Sequence, residues 1–231
     1  MKRFYENAAV RPAEGAFGVY LDGKPLRTPA KAALVVPSAA LAAAIAAEWA
    51  GQGEEIRIAE LPLTRLASTA LDLIVARRAE IVADIAKYAG TDLVCYRAAH
   101  PPSLVARQHE AWQPLIDWAT LRFDAPLEVT IGVVPITQPA VSLRALTAAI
   151  DAYTALELAA LHLATTACGS LIVALALIEG RLDAEGAFAT SQIDETYEIE
   201  LWGEDAEQTR RRAALREDIA LAARFVELLR R

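Results

Sequence analysis

The stretch LAALHLATTACGSLIVALALI, Leu158 to Ile178, decides how this chain is read. It holds no Asp, Glu, Lys or Arg and is long enough to cross a bilayer. As a membrane span it would make an integral protein; as a buried helix it makes the centre of a helical bundle. The second reading fits the residues. His162, Thr165, Thr166, Gly169 and Ser170 interrupt the stretch, Glu157 and Glu179 flank it, and no basic cluster marks a cytoplasmic side. Its many Ala and Leu residues suit a helix surrounded by other helices.

The rest of the chain agrees with a folded, non-membrane protein. Of 231 residues 55% are hydrophobic, 23% charged and 6% aromatic, which excludes disorder, collagen and coiled-coil arrays. A chain of this length buries roughly 70% of its unfolded surface and needs no disulfide or metal staple. The 23 basic and 30 acidic residues give a net charge of −7, so nucleic acid or an anionic membrane would meet net repulsion. Cys95 and Cys168 cannot build a disulfide framework and read as buried free thiols in a reducing compartment. No apolar core follows Lys2 and Arg3, so no signal peptide is expected and the chain should act in the cytoplasm.

Upstream of Leu158 the periodicity changes once. Phe17, Val19 and Leu21 alternate as in a strand, and Asp22-Gly23 is a hairpin turn signal. The return arm Lys24 to Pro29 contains two prolines and should be an edge or end early. Leu34-Val35-Val36 is a third short strand, and Glu55 to Ile58 a possible fourth. Ser38 caps a helix to Ala50, with Leu41, Ile45 and Trp49 on one face and Gly51 as its stop. After Pro62 the period becomes 3.6. A helix capped by Thr64 should run to Gly90, another should start at Ser103 and break near Pro114, and Leu127 to Ile136 should be extended. Ser142, Asp183 and Asp205 are candidate caps for later helices. The expected fold is α+β: a small β-rich unit with one helix over residues 1–62, then a larger all-α orthogonal bundle over 63–231, the boundary falling between 60 and 90.

Chemistry-bearing motifs are few. Gly23-Lys24 is followed by Pro25, so no phosphate-cradling loop forms and no nucleotide is expected. His109-Glu110 begins like a zinc-protease helix, but position 113 is Gln. His100, His109 and His162 share no ligand spacing, and His162 reads as a hydrogen-bonded core histidine. Gly169-Ser170-Leu171 lacks the second glycine of a nucleophile elbow, so Ser170 reads as a helix-packing residue. Neither metal nor cofactor is implied.

One segment is unusual. From Asp194 to Glu207 there are seven acidic residues and no basic one. Three readings stay open: a solvated helix face ended by Gly203 with Asp205-x-x-Gln208 capping the next helix, a docking surface for a basic partner, or paired carboxylates for acid–base chemistry. As a docking surface it would comprise Glu195, Glu198, Trp202, Glu204, Asp205 and Glu207, with Trp202 the aromatic anchor. Trp49 also has two readings, core packing of the first helix or an exposed anchor.

The order of short motifs is more specific than any of them. Arg3-Phe4-Tyr5, Leu21-Asp22-Gly23-Lys24-Pro25-Leu26-Arg27-Thr28-Pro29, Glu48-Trp49 with Gln52, and Pro62-Leu63-Thr64 are followed by Thr91-Asp92-Leu93-Val94-Cys95-Tyr96-Arg97 and Gln108. Then come Trp112-Gln113-Pro114-Leu115 with Trp118, Gly169-Ser170-Leu171 and Trp202-Gly203-Glu204-Asp205. Together they resemble the assembly-chaperone family for the ATP synthase F1 sector, the branch that handles the α subunit. Ala50, Leu61 and Glu198 depart from the family's usual residues, and Glu198 makes the acidic face more acidic here. The resemblance implies a non-catalytic chaperone whose partner is the unassembled α subunit of F1-ATPase, held until β subunit replaces it. A general helical interaction module, or an acid–base enzyme using Asp194 to Glu207, are the alternatives.

Overall fold

A computed structural model describes residues 1–231, and the chain divides into two compact units. The first comprises Met1–Arg78, Thr154–Ala160 and Arg224–Arg231; the second comprises Ala79–Tyr153 and Leu161–Ala223.

In the first unit strands β1 (Ala8–Ala13) and β2 (Ala16–Leu21) pair antiparallel with Val10 opposite Val19. Asp22 and Gly23 both take positive φ, as a tight hairpin turn requires, and the Asp22 carboxylate accepts the Glu6 and Asn7 amides. Strand β3 (Lys24–Pro25) stops after two residues because proline cannot donate to a ladder. Strand β4 (Val35–Val36) also pairs with β2. Ser38 then caps α1 (Ala39–Ala50), its Oγ accepting the Leu41 amide at 3.2 Å while donating to the Leu228 carbonyl at 2.6 Å. Leu41, Ile45 and Trp49 bury the inner face of α1 against β1 and β2, each Leu or Ile contributing about 2 kcal/mol.

Three expectations for residues 55–90 are corrected. Glu55 to Ile58 is not a fourth strand: it makes one bridge, Lys2 to Glu55, and passes into a 3₁₀ turn over Ile58–Glu60. The Arg57 amide, which a ladder would use, donates to the Gln52 side chain at 2.7 Å. Thr64 is not a cap either. Helix α2 (Pro62–Thr69) starts at Pro62, where the missing N–H costs nothing, and its free amides at Leu63 and Thr64 donate to the Glu48 carboxylate of α1 at 2.6 and 2.9 Å. The expected single helix to Gly90 is broken by a π turn at Ala70–Ile74 before α3 (Arg78–Lys87).

The second unit is helical apart from one two-residue parallel pair, β5 (Tyr96–Arg97) with β6 (Thr130–Ile131). That pair is all the regular strand in Leu127 to Ile136. Between them α4 (Pro102–Phe123) continues through Pro114 rather than breaking there, and Trp112, fully buried, donates its indole N–H to the Thr190 carbonyl at 2.8 Å. Helix α5 (Ala140–Asp151) encloses Ser142, which is no cap; its hydroxyl donates to the Pro126 carbonyl.

The decisive stretch is two helices. Helix α6 (Ala155–Cys168) ends at Gly169, which takes φ +63°, and α7 (Leu171–Ile178) restarts on Ser170, whose Oγ accepts the Val173 amide at 3.0 Å. Every residue of α7 is buried, as expected of a helix apolar on all sides. No helix is long and apolar enough to cross a membrane. His162 lies on the exposed side of α6, not in the core. Helices α8 (Ala184–Ser191), α9 (Ile193–Trp202) and α10 (Ala206–Arg230) complete the chain, and α8 is capped by Asp183 as expected.

Candidate functional site

The acidic segment occupies α9, the Gly203 corner and the first turn of α10. Ile193 is buried and fixes the start of α9, while Tyr197 is half-buried and Leu201 stands in solvent. The apolar stripe of this helix therefore runs from core to surface along its length. Gly203, at φ 83° and ψ 173°, ends the helix in a conformation open essentially to glycine.

Four of the seven carboxylates are committed to holding this segment. Asp194 accepts the Gln108 side-chain amide at 2.7 Å. Glu200 pairs with Arg107 at 2.8 Å, and that bond holds the Glu200 carboxyl below the usual carboxylate range. Arg107 also lies over the Tyr197 ring, whose hydroxyl bonds Ser103 at 2.8 Å. Glu204 lies 3.6 Å from the Arg212 guanidinium, which bonds Gln192 and Thr196 as well. Asp205 caps α10, accepting the Glu207 and Gln208 amides at 2.8 Å each. Nothing in the spacing of Arg107 and Arg212 along the chain marks them as partners of this segment.

The remaining three, Glu195, Glu198 and Glu207, enter no ion pair. Glu198 and Glu207 are exposed and Glu195 half-buried. Trp202 is 78% exposed, an unusual position for the largest apolar side chain. An anionic surface carrying an exposed indole can steer and anchor a cationic partner.

The other singled-out residues are structural. Trp49 is buried and donates its indole N–H to Thr64 Oγ1 at 3.1 Å. Cys95 and Cys168 are buried, and desolvation pushes both thiols up to about 12, so neither is a nucleophile at neutral pH. No group of three or more His, Cys, Asp or Glu side chains is placed to hold a metal ion.

Comparisons with known proteins converge. The family model described as ATP12 chaperone protein matches residues 2–120. The mitochondrial atp12 protein of Schizosaccharomyces pombe is 25% identical over 221 residues, covering 90% of this chain and 76% of the yeast one. The solved structure of Atp12 from Paracoccus denitrificans is 42% identical and superposes with a TM-score of 0.95, covering 99% of this chain and 98% of that one. A solved chain from Agrobacterium tumefaciens is also 42% identical, with a TM-score of 0.91 over 99% of this chain and 85% of its own. With the fold matched almost end to end at that identity, the chain belongs to the ATP12 family of ATP synthase assembly chaperones.

Proposed function

We propose that this chaperone binds the unassembled α subunit of F1-ATPase and prevents its aggregation until the β subunit takes its place. It acts in the cytoplasm by binding alone, without catalysis. An orphan subunit of an alternating ring exposes interface surface that self-associates unless covered. Release follows from exchange with a tighter partner, so binding is moderate and reversible.

The observation that supports this reading is the exposed Trp202 among Glu195, Glu198 and Glu207, whose charges have no partner within the chain. Glu204 and Asp205 complete the surface and keep its backbone in place. Charge there governs encounter rate and orientation more than final affinity.

The test is affinity capture from lysate by the tagged full chain and by a Glu198→Lys/Trp202→Ala/Glu207→Lys variant. The unmodified chain should retain α subunit as its dominant partner, and the variant should lose it with its melting temperature unchanged. Equal capture by both would remove the docking surface from this segment. Absence of α subunit from both would end the reading.

A further inference from the structure

The chain's charge is divided unequally. Residues of the first unit include thirteen Lys/Arg and ten Asp/Glu (+3), and those of the second ten and twenty (−10), together giving the net −7. Two clefts lie in the basic unit, of about 510 and about 630 Å³, and they share Arg27 and Trp49 in their walls. Their linings are mainly apolar, and Phe4, Ile58 and Leu73 stand 65%, 56% and 38% exposed along them.

The polar groups of these clefts are not balanced. Asp72 uses both carboxylate oxygens internally, accepting the Thr28 hydroxyl at 2.6 Å and the Ala30 amide at 2.9 Å. Asp22 is likewise taken up by the Glu6 and Asn7 amides. Arg65 is exposed and enters no ion pair, and Arg27 bonds the Lys31 carbonyl at 2.7 Å. The cations remain available where the anions are satisfied. The π turn at Ala70–Ile74 contributes both Asp72 and Leu73 to this wall. Such turns are rare, and the two Asp72 bonds tie this one to the 28–30 loop.

We propose that the paired clefts are a docking groove for an extended acidic–apolar peptide segment, whose apolar side chains fill the clefts and whose carboxylates meet Arg65 and Arg27. A basic-rimmed apolar groove in an otherwise acidic chain selects that chemistry by charge complementarity. Only the assignment of the segment to the client subunit rests on the chaperone reading. The groove then binds an acidic part of the client while the Trp202 surface binds a basic part.

The probes are two fluorescein-labelled ten-residue peptides, one alternating Leu with Asp and one alternating Leu with Lys, titrated against the full chain by anisotropy. The Leu–Asp peptide should bind, and binding should weaken as salt rises from about 50 to about 300 mM. Arg65→Glu and Leu73→Asp, both at exposed positions, should each weaken it about tenfold with melting unchanged. Arg65→Gln should give a smaller loss. The Glu198→Lys/Trp202→Ala/Glu207→Lys variant should bind the Leu–Asp peptide as the unmodified chain does. Failure of the Leu–Asp peptide to bind, or equal binding by Arg65→Glu, overturns the groove and leaves the α-subunit reading standing. Peptide binding without α-subunit capture overturns that reading and leaves the groove.

Discussion

Asp92 is the residue whose replacement tests the architecture most sharply. It is fully buried, and its carboxylate accepts the Ser170 hydroxyl at 2.6 Å, the Ile172 amide at 3.1 Å and the Val94 amide at 3.3 Å. It thereby supports the start of α7 from 78 residues earlier in the chain. Asp92→Ala strands three donors away from water, at about 1 kcal/mol each, so a loss of about 3 kcal/mol is expected. For a chain of this size that is a drop in melting temperature of roughly 6–12 °C. Burial also pushes the Asp92 carboxyl from 3.8 up to about 6. Its folded-state pKa is raised, so the stability linked to its proton is fully present below pH 3.8 and lost as pH rises through about 6. Asp92→Asn does not titrate, so urea unfolding of both proteins isolates this group. The native chain should gain stability relative to Asp92→Asn as pH falls from about 7 to about 4. A flat or opposite trend, or an Asp92→Ala variant within about 0.5 kcal/mol of the native chain, would refute the reasoning.

Further expectations concern other elements. Glu48→Ala removes the acceptor of the Leu63 and Thr64 amides and should cost about 1–2 kcal/mol by urea unfolding, with Glu48→Gln losing less; an unchanged midpoint would count against the cross-helix cap. Cys95 and Cys168 should resist a thiol reagent in the folded chain and give two reacted thiols per chain in urea; modification of either without unfolding would contradict their burial. Gly203→Ala places a side chain at φ 83° and should speed amide exchange at the end of α9, where the Gly203 amide bonds the Ile199 carbonyl at 2.8 Å. Unchanged exchange there would show that the corner carries no strain.

What the sequence made legible was local. Ser38 and Asp183 could be read as caps because a capping side chain reaches an amide three residues on, within one short window. The Asp22-Gly23 turn was legible for the same reason, since its φ requirement is met by those residues themselves. Thr64 and Ser142 have cap-like chemistry, but the acceptor for the start of α2 is Glu48, and the Ser142 hydroxyl is drawn to Pro126. The break at Gly169 was missed although Gly169-Ser170 is a local stop-and-cap pair, because the uncharged apolar run continues on both sides of it and Asp92, which secures it, is remote in sequence. The acidic segment stood out by composition. Which of its carboxylates remain available depends on Arg107 and Arg212, and no local pattern ties either to it. The basic-unit clefts draw on residues 27, 49, 65 and 73, so only the folded chain reveals them.

Holding an orphan subunit is the central claim, and light scattering tests it most directly. Purified unassembled α subunit is warmed alone, with an equimolar amount of this chain, and with its Glu198→Lys/Trp202→Ala/Glu207→Lys variant. The chain should suppress the rise in scattering, the variant should not, and added β subunit should release the chain as α and β associate. Scattering that rises equally in all three samples would contradict the account.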